Sequence, residues 1–322
     1  MKNILISITA VFMASMALAD YPDRPVTLVV PFAAGGPTDH IARDLAESLR
    51  KILGQVVMVE NTGGSGGTVG TARVAKAAPD GYTLLLHHIG MATAPALYRS
   101  LVYRPLDDFD YLGMVNEAPM TLIGRANFPA ANYGELIKWI SANPGRASLA
   151  NAGVGSASHL CGLLFQSALK LPMTTVPYKG TGPAMADLAS GQVDLMCDQT
   201  TNTVPQIESG KVKAYAVATT KKSINPTLAK LPTLDEAGLK GFNITVWHAL
   251  YAPRGTPKAV IDKLNAALKL ALKDPELLKR SEALGVTVIS DSRINPAEHK
   301  RFVEAETVKW GGIIRAVGQF AD

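Results

Sequence analysis

The chain has 322 residues, of which 47% are hydrophobic and 18% are charged, and its formal net charge is +5. This composition is typical of a folded α/β protein and excludes wholesale disorder, and the length allows two domains or one large one. Because the positive excess is small and Lys221-Lys222 is the closest approach to a basic run, no nucleic-acid partner is expected.

Residues 1–19 have the pattern of a secretory signal peptide. Lys2 supplies a positive start, residues 4–17 are apolar, and the small residues Ala17 and Ala19 predict cleavage after Ala19. An uncleaved membrane anchor is the alternative, but this apolar core is shorter than a bilayer span requires. We therefore expect an exported protein.

The first predicted strand, Val26–Val30, leads into a glycine-rich turn at 32–36 and then a helix over 38–53. Pro37 suits the first turn of this helix, and Asp39 lies beside it. Such a strand, turn and helix direct backbone N–H groups and a positive helix end at one point, which attracts anions. Because the turn has no lysine, a carboxylate is a better ligand than a phosphate.

Strand–helix units then repeat along the chain. A strand over 56–60 leads through the glycine-rich loop 61–67 to a helix that begins near Thr68, and a third strand covers 82–86. This alternation predicts a parallel sheet covered by helices. Right-handed crossovers place the turns after the strands along one sheet edge, where α/β proteins bind ligands.

A second α/β unit follows, and it repeats the glycine-turn arrangement in the turn 153–159. Its predicted strands cover 120–124, 147–151, 174–177, 193–198 and 214–218, and its predicted helices include 132–143 and 184–190. The last third predicts a strand over 244–252, a helix over 258–273, a strand near 286–289 and a final helix over 296–316. Crossings near 122–126 and 242–247 predict two facing lobes, residues 20–123 plus 245–322 and residues 124–244.

Short segments along the whole chain after residue 19 resemble the Bug-type periplasmic solute-binding receptors of tripartite tricarboxylate transporters. The segments are Tyr21-Pro22, Val29-Val30-Pro31-Phe32 with Gly35-Gly36 and Asp39, Val59-Glu60-Asn61 with Gly66-Gly67, Pro79-Asp80-Gly81-Tyr82-Thr83, Pro177-Tyr178-Lys179-Gly180, Gly191-Gln192-Val193-Asp194, and Ala252-Pro253 with Gly255-Thr256-Pro257. The resemblance implies a periplasmic α/β clamshell of two lobes, each a mainly parallel sheet flanked by helices. Its ligand would be a small organic carboxylate, and its partners would be the integral membrane subunits of a secondary transporter. No cofactor and no enzymatic activity are expected, and a monomer is the default for such a receptor.

The resemblance also implies where the ligand lies. Receptors of this family hold a ligand carboxylate between the turn after the first strand and the glycine–serine turn of the second lobe, partly through water. On this chain the implied ligand-binding residues are Phe32, Gly36, Thr38, Asp39, Ser156, Ser158 and Asp198. Because a carboxylate repels Asp39 and Asp198, these two are expected to orient a water or a neighbouring donor. Asp39 as a helix-dipole residue and Ser158 as a helix N-cap remain alternatives.

Two histidines are further candidates. His88 follows the third strand at the ligand edge, and His248 lies in the strand predicted to cross between the lobes. Either ring could donate to a second ligand carboxylate, as an imidazolium or as a neutral imidazole, and either could instead be a structural histidine. Phe32, Met91 and Trp247 could wall a flat apolar ring, so an aromatic dicarboxylate such as terephthalate is expected. Citrate-like acids, amino acids and nicotinate-like acids stay open.

The two cysteines, Cys161 and Cys197, would face an oxidising compartment after export. They form a disulfide if the helix that carries Cys161 packs on the strand that ends at Cys197, and otherwise they are two buried thiols. The sequence leaves both possibilities open. Two cysteines alone supply too few ligands for a metal site, and the six histidines show no metal-binding spacing.

An exported serine hydrolase is the alternative function. Gly63-Gly64-Ser65-Gly66-Gly67 fits the nucleophile string G-x-S-x-G, and Asp198 and His248 follow in hydrolase order. Against this interpretation, four flanking glycines make a loose turn, and short glycine-rich strings occur by chance. Close backbone approach near a binding cleft accounts for the same loop.

Overall fold

A computed structural model of the chain describes residues 21–318. The predicted signal peptide, residues 1–19, lies outside these described residues. Within 21–318, every helix is too short or too polar to cross a bilayer.

The described residues form strands β1 to β10 and helices α1 to α10. The strands are β1 Val26–Val30, β2 Val57–Asn61, β3 Thr83–His88, β4 Phe109–Arg125, β5 Ser148–Asn151, β6 Thr174–Pro177, β7 Leu195–Gln199, β8 Val212–Val217, β9 Thr245–Pro253 and β10 Thr287–Val288. The helices are α1 Pro37–Leu53, α2 Thr68–Ala75, α3 Gly90–Leu97, α4 Tyr133–Ala142, α5 Ala157–Leu169, α6 Thr181–Ser190, α7 Thr200–Glu208, α8 Lys258–Ala271, α9 Pro275–Ala283 and α10 Pro296–Val317.

The strands form one sheet in the order β2-β1-β3-β9-β4-β7-β5-β6, with β8 and β10 paired to β4 off this path. The pairs β1–β2, β1–β3, β5–β6 and β5–β7 are parallel, whereas every antiparallel pair includes β4 or β9. The predicted α/β class is confirmed, with a mixed sheet. It is mixed because the chain leaves one half of the molecule along β4 and returns along β9, in the opposite direction.

Strand β4 joins the two halves of the sheet. Its residues 109–119 pair with β9, and its residues 120–124 pair with β7. The strand that pairs with β4 changes between Pro119 and Met120. Proline suits this position because it has no N–H to donate to a neighbouring strand. We call β1–β3, β9, β10 and residues 109–119 the first half, and β5–β8 and residues 120–125 the second half. The predicted lobe boundary lies nearby, between residues 123 and 124.

Helix α1 shows why the local predictions succeeded. Its apolar face, including Ile41, Leu45 and Leu49, is buried in one cluster with residues of β1. Pro37 stands at its start, and Gly54 ends it in the left-handed conformation with φ 70°, donating its N–H to the Arg50 carbonyl.

Three helices were not predicted from the sequence: α3, α7 and α9. Helices α3 and α7 each contain a proline, Pro95 and Pro205, which ordinarily ends a helical pattern. Most residues of both are buried, so tertiary packing outweighs the local preference. Strand β4 also extends well beyond the predicted 120–124, because residues 109–119 pair with β9 and not with a sequence neighbour.

Candidate functional site

A cavity of about 350 Å³, including space open to solvent, lies between the two halves. It is formed at the carboxyl ends of β1, β3, β5 and β7, at the predicted ligand edge. We call it the cleft cavity. The first half contributes Phe32, Gly36, Pro37, Thr38 and His88, and the second half contributes Ala152, Ser156, Ala157, Ser158, Thr181, Asp198 and Gln199.

The first residues of three helices line this cavity. Pro37, Ala157 and Thr181 are the first residues of α1, α5 and α6, and all three line it. The partial positive charge at each helix N-terminus makes such a convergence favourable for an anion. None of the residues that line the cavity is Lys or Arg. Helix α6 begins at Thr181 and not at the predicted residue 184, so the sequence identified only two of the three N-termini.

The two halves are in close contact beside the cavity. A Cβ added to Gly36 would lie 2.7 Å from the Thr181 side-chain oxygen, and one added to Gly180 would lie 3.0 Å from the Ala33 Cβ. Glycine at 36 therefore allows α1 and α6 to approach each other. Tyr98 also bridges the halves, because its hydroxyl lies 2.7 Å from the Ser65 carbonyl oxygen and 2.9 Å from that of Val154.

Asp39 is buried but does not line the cavity. Its carboxylate accepts hydrogen bonds from the Gly35 N–H at 2.9 Å, from Arg43 at 3.0 Å and from the Asn61 amide at 3.0 Å. Burial alone would raise the pKa of Asp39, but the bonds from Arg43, Gly35 and Asn61 outweigh it and hold the pKa below its usual value. Asp39 is therefore an ionised group that fixes the shape of the 32–36 turn through neighbouring donors.

The two serines of the second turn have different partners. Ser156 is the N-cap of α5 and accepts a hydrogen bond from the His159 N–H at 3.1 Å. Ser158 lies inside the first turn of α5 and donates to the Cys197 carbonyl at 2.6 Å. The N-cap alternative considered for Ser158 is therefore wrong, because the cap is Ser156. Both serines line the cleft cavity.

Cys161 and Cys197 form a disulfide. It links α5 to β7, so it ties the helix whose N-terminus lines the cavity to the strand that carries Asp198. This settles the choice between a disulfide and two free thiols, because α5 packs on β7.

His88 lines the cavity as a neutral hydrogen-bond donor. Its ring stacks on Phe32 with centroids 4.5 Å apart, and its Nδ1 accepts the Gly90 N–H at 2.9 Å. Burial lowers the pKa of His88 to about 3, so the ring is neutral at pH 7 and its single proton is on Nε2. Of the two protonation states considered from the sequence, the neutral imidazole is the one present.

His248 is completely buried and does not line the cavity. Its Nδ1 lies 2.9 Å from Asn116 Oδ1 and its Nε2 lies 3.3 Å from Thr38 Oγ1. Burial and the neighbouring His88 hold the pKa of His248 well below its usual value. Because an amide oxygen only accepts, Nδ1 carries the proton, and Nε2 accepts the proton of the Thr38 hydroxyl. His248 thus lies behind Thr38 and orients it.

Asp198 and Gln199 lie together at the end of β7. Asp198 accepts hydrogen bonds from the Gln199 N–H at 2.8 Å and from the Asn202 amide at 2.6 Å. Burial, opposed by these two bonds, raises the pKa of Asp198 to about 7. The Gln199 side-chain oxygen is buried and has no hydrogen-bond partner within the described part of the chain. Gln199 was missed from the sequence, although its position at a strand's carboxyl end was a usable signal.

The predicted apolar wall is not assembled. Of Phe32, Met91 and Trp247, only Phe32 lines the cavity. Met91 is buried in the hydrophobic core, and Trp247 donates to Glu306 at 3.3 Å and packs against Phe302. Two of the three residues expected to hold an aromatic ligand therefore lie outside the cavity lining.

The hydrolase triad is not assembled either. Ser65 lines a different cavity, with its neighbouring glycines, Tyr98 and Val154. Asp198 contacts Gln199 and Asn202, and His248 contacts Thr38 and Asn116, so neither polar group is bonded to Ser65. Within residues 21–318, no cluster of three His, Cys, Asp or Glu residues is suited to a metal ion.

Residues 41–319 match the family described as tripartite tricarboxylate transporter family receptor. The chain belongs to this receptor family. The receptor is 52% identical to the solved periplasmic binding protein BugD, with a TM-score of 0.90 over 92% of this chain and 99% of that one. A structure of MatC from Rhodopseudomonas palustris with bound malate is 42% identical, with a TM-score of 0.87 over 91% of this chain and 100% of that one.

A curated relative is similar over nearly the whole chain. The UPF0065 protein in the TAR-I ttuE-ttuC' intergenic region of Agrobacterium vitis is 46% identical over 98% of this chain and 91% of the relative. The proteins of this family are solute-binding receptors. The receptor is therefore not an enzyme, and the serine hydrolase interpretation based on Ser65 is wrong.

Proposed function

We propose that this receptor captures a short aliphatic dicarboxylate in the periplasm by closing its two halves around it. It then delivers the ligand to the integral membrane subunits of a tripartite tricarboxylate-type transporter. The observation that carries this proposal is the convergence of the α1, α5 and α6 N-termini on one cavity between the halves.

The site binds an anion without cationic side chains. Three helix N-termini supply partial positive charge, and His88 supplies a neutral N–H. Because these groups come from both halves, a ligand that contacts all of them stabilises the closed arrangement more than an open one. The membrane subunits would then recognise the closed form.

A relative's ligand and the residues that line the cavity support this ligand class. The relative MatC holds malate, a four-carbon dicarboxylate. The lining of the cleft cavity includes one aromatic carbocycle, Phe32. Terephthalate is the weaker candidate, because the apolar wall that favoured it is not present.

Thermal-shift and calorimetric titration of residues 20–322 test the proposal. We expect succinate and malate to raise the unfolding temperature, because a ligand at 100 times its Kd stabilises the folded state by about 2.7 kcal/mol. Terephthalate should have a smaller effect. Small-angle scattering without and with the tightest ligand should show compaction. If no dicarboxylate at millimolar concentration shifts the unfolding temperature, the proposed function is wrong.

A further inference from the structure

A second cavity lies beside the cleft cavity, and it too is formed by both halves. It has a volume of about 600 Å³, including space open to solvent. The first half contributes residues 32–33, the glycine-rich loop 63–67 and Tyr98, and the second half contributes residues 152–154 and 178–180. We call it the entrance cavity. Phe32 and Ala152 line both cavities, so the two cavities adjoin.

The exposure of the lining residues indicates where the cleft cavity reaches solvent. Among the residues that line it, Phe32 and Ala152 are half-buried and all the others are buried. These two are the residues that it shares with the entrance cavity, whose loop residues Gly63, Gly64 and Ser65 are exposed. The cleft cavity therefore opens to solvent on the side of the entrance cavity.

Contacts between the halves border the entrance cavity. A Cβ added to Gly66 would lie 2.7 Å from the Val154 carbonyl oxygen, so glycine at 66, with φ 60°, lets the loop approach the second half there. The Tyr98 hydroxyl contacts the same oxygen, and Gly180 closely approaches Ala33. Because closing the halves brings these groups together and narrows the passage, a ligand must be captured there before closure.

Lys179 gives the entrance cavity a positive charge. Among the described residues that line the two cavities, it alone is Lys or Arg, and it is exposed. The partial charge of a helix N-terminus acts within about one helical turn, whereas a full charge in water acts over a Debye length, about 10 Å at 0.1 M salt. The helices can therefore hold an anion that has arrived, and Lys179 can attract one that is still outside.

We propose that the entrance cavity is a capture site for dianionic ligands, in which Lys179 attracts the ligand before the helix N-termini bind it. This inference rests on the proposed function and adds its first step. Lys179 raises the association rate constant kon, because long-range attraction brings oppositely charged partners together faster. It contributes little to the dissociation rate constant koff, because the bound ligand lies in the cleft cavity, behind Phe32 and Ala152.

Stopped-flow mixing of residues 20–322 with L-malate or succinate, whichever binds more tightly, tests the inference through tryptophan fluorescence. At low salt, Lys179→Glu should lower kon about five- to tenfold and Lys179→Met about threefold, as expected for a charge roughly 10 Å from a dianion. The koff of both variants should stay within about twofold of wild type, as is usual for a charge at the rim of a site. At about 0.5 M salt the kon values of the three proteins should converge, because the charges are then screened.

Two variants serve as controls. Lys179→Arg keeps the charge and should keep the kon of wild type. Lys211→Glu makes the same charge change as Lys179→Glu, at an exposed residue just before β8. Because β7 and β8 are both antiparallel to β4, Lys211 lies at the sheet edge opposite the cleft cavity, and its substitution should change kon less than about twofold.

The outcomes separate this inference from the proposed function. If Lys179→Glu has the same kon as Lys211→Glu at low salt, the capture role is wrong and the proposed function stands. A loss of kon that persists at high salt would also overturn the capture role, because salt does not screen a structural disturbance. If neither acid binds the wild-type protein, the proposed function and this inference both fail.

Discussion

Replacing Asp198 by Asn should change how the stability of the ligand-free receptor depends on pH. The pKa of this buried carboxyl is raised from 3.8 to about 7. Between these two pH values the folded state therefore holds a proton that the unfolded state has released. The corresponding stability is complete below pH 3.8 and is lost as the pH rises through 7. At about 1.4 kcal/mol per pH unit, this amounts to about 4 kcal/mol in full.

The expected result is that the difference in the free energy of unfolding between wild type and Asp198→Asn changes with pH. Asn cannot ionise, and it still accepts from the Gln199 N–H. At pH 5 the free energy of unfolding of the variant should equal that of wild type or be lower by about 1 kcal/mol, because its contact with Asn202 must reorganise. From pH 5 to pH 8 the difference should move by about 2.5 kcal/mol in favour of the variant. Contributions from all other titrating groups are common to both proteins and cancel.

Denaturant unfolding at pH 5, 6.5 and 8, followed by circular dichroism without ligand, measures this difference. Parallel stability profiles for the two proteins would show that Asp198 does not titrate abnormally and would refute the reasoning. Asp274→Asn is a control whose stability should depend on pH in the opposite direction. Bonds from Lys51, the Glu276 N–H and Ser48 lower the pKa of Asp274 to about 2, so its stabilisation is present above pH 3.8 and is lost as the pH falls toward 2. Asp274→Asn should be less stable than wild type at pH 8, and the difference in their free energies of unfolding should narrow as the pH falls.

Three further predictions concern the contacts between the halves and the disulfide. Gly36→Ala should weaken dicarboxylate binding at least tenfold, because the new Cβ would lie 2.7 Å from the Thr181 oxygen, and adding Thr181→Ala should restore part of the affinity in a calorimetric double-mutant cycle. Additive effects of the two changes would contradict the proposed contact. Tyr98→Phe should weaken binding by up to about fivefold, since its one hydroxyl proton is shared between the Ser65 and Val154 carbonyls and contributes at most about 1 kcal/mol across the halves, and an unchanged Kd would show that this bridge does not favour closure. Replacing Cys161 and Cys197 together by Ala should lower the free energy of unfolding by about 3 to 4 kcal/mol in denaturant titrations, because the disulfide spans 36 residues, and a loss below 1 kcal/mol would contradict that chain-entropy argument.

Much of the architecture was predictable because it depends on residues that are close in sequence. The β1 strand, its glycine turn and the amphipathic α1 helix follow from the local order of β-branched, glycine and apolar residues. The rule that strand ends share one sheet edge then placed the first turn and His88 at the ligand edge, and the family resemblance added the second turn and Asp198. Those four features line or border the cleft cavity in the structure.

The roles of individual side chains depend on partners far away in sequence. Strand β9 packs between β3 and β4, and this packing decides the neighbours of Trp247 and His248. Trp247 contacts Phe302, and His248 contacts Asn116. Gln199 becomes an unpaired buried amide only because of what surrounds the end of β7. The sequence by itself determined the α/β class and the edge where ligands bind, since these follow from short-range patterns. Only the tertiary structure decided which groups donate and which accept there, because hydrogen-bond direction depends on contacts between distant segments.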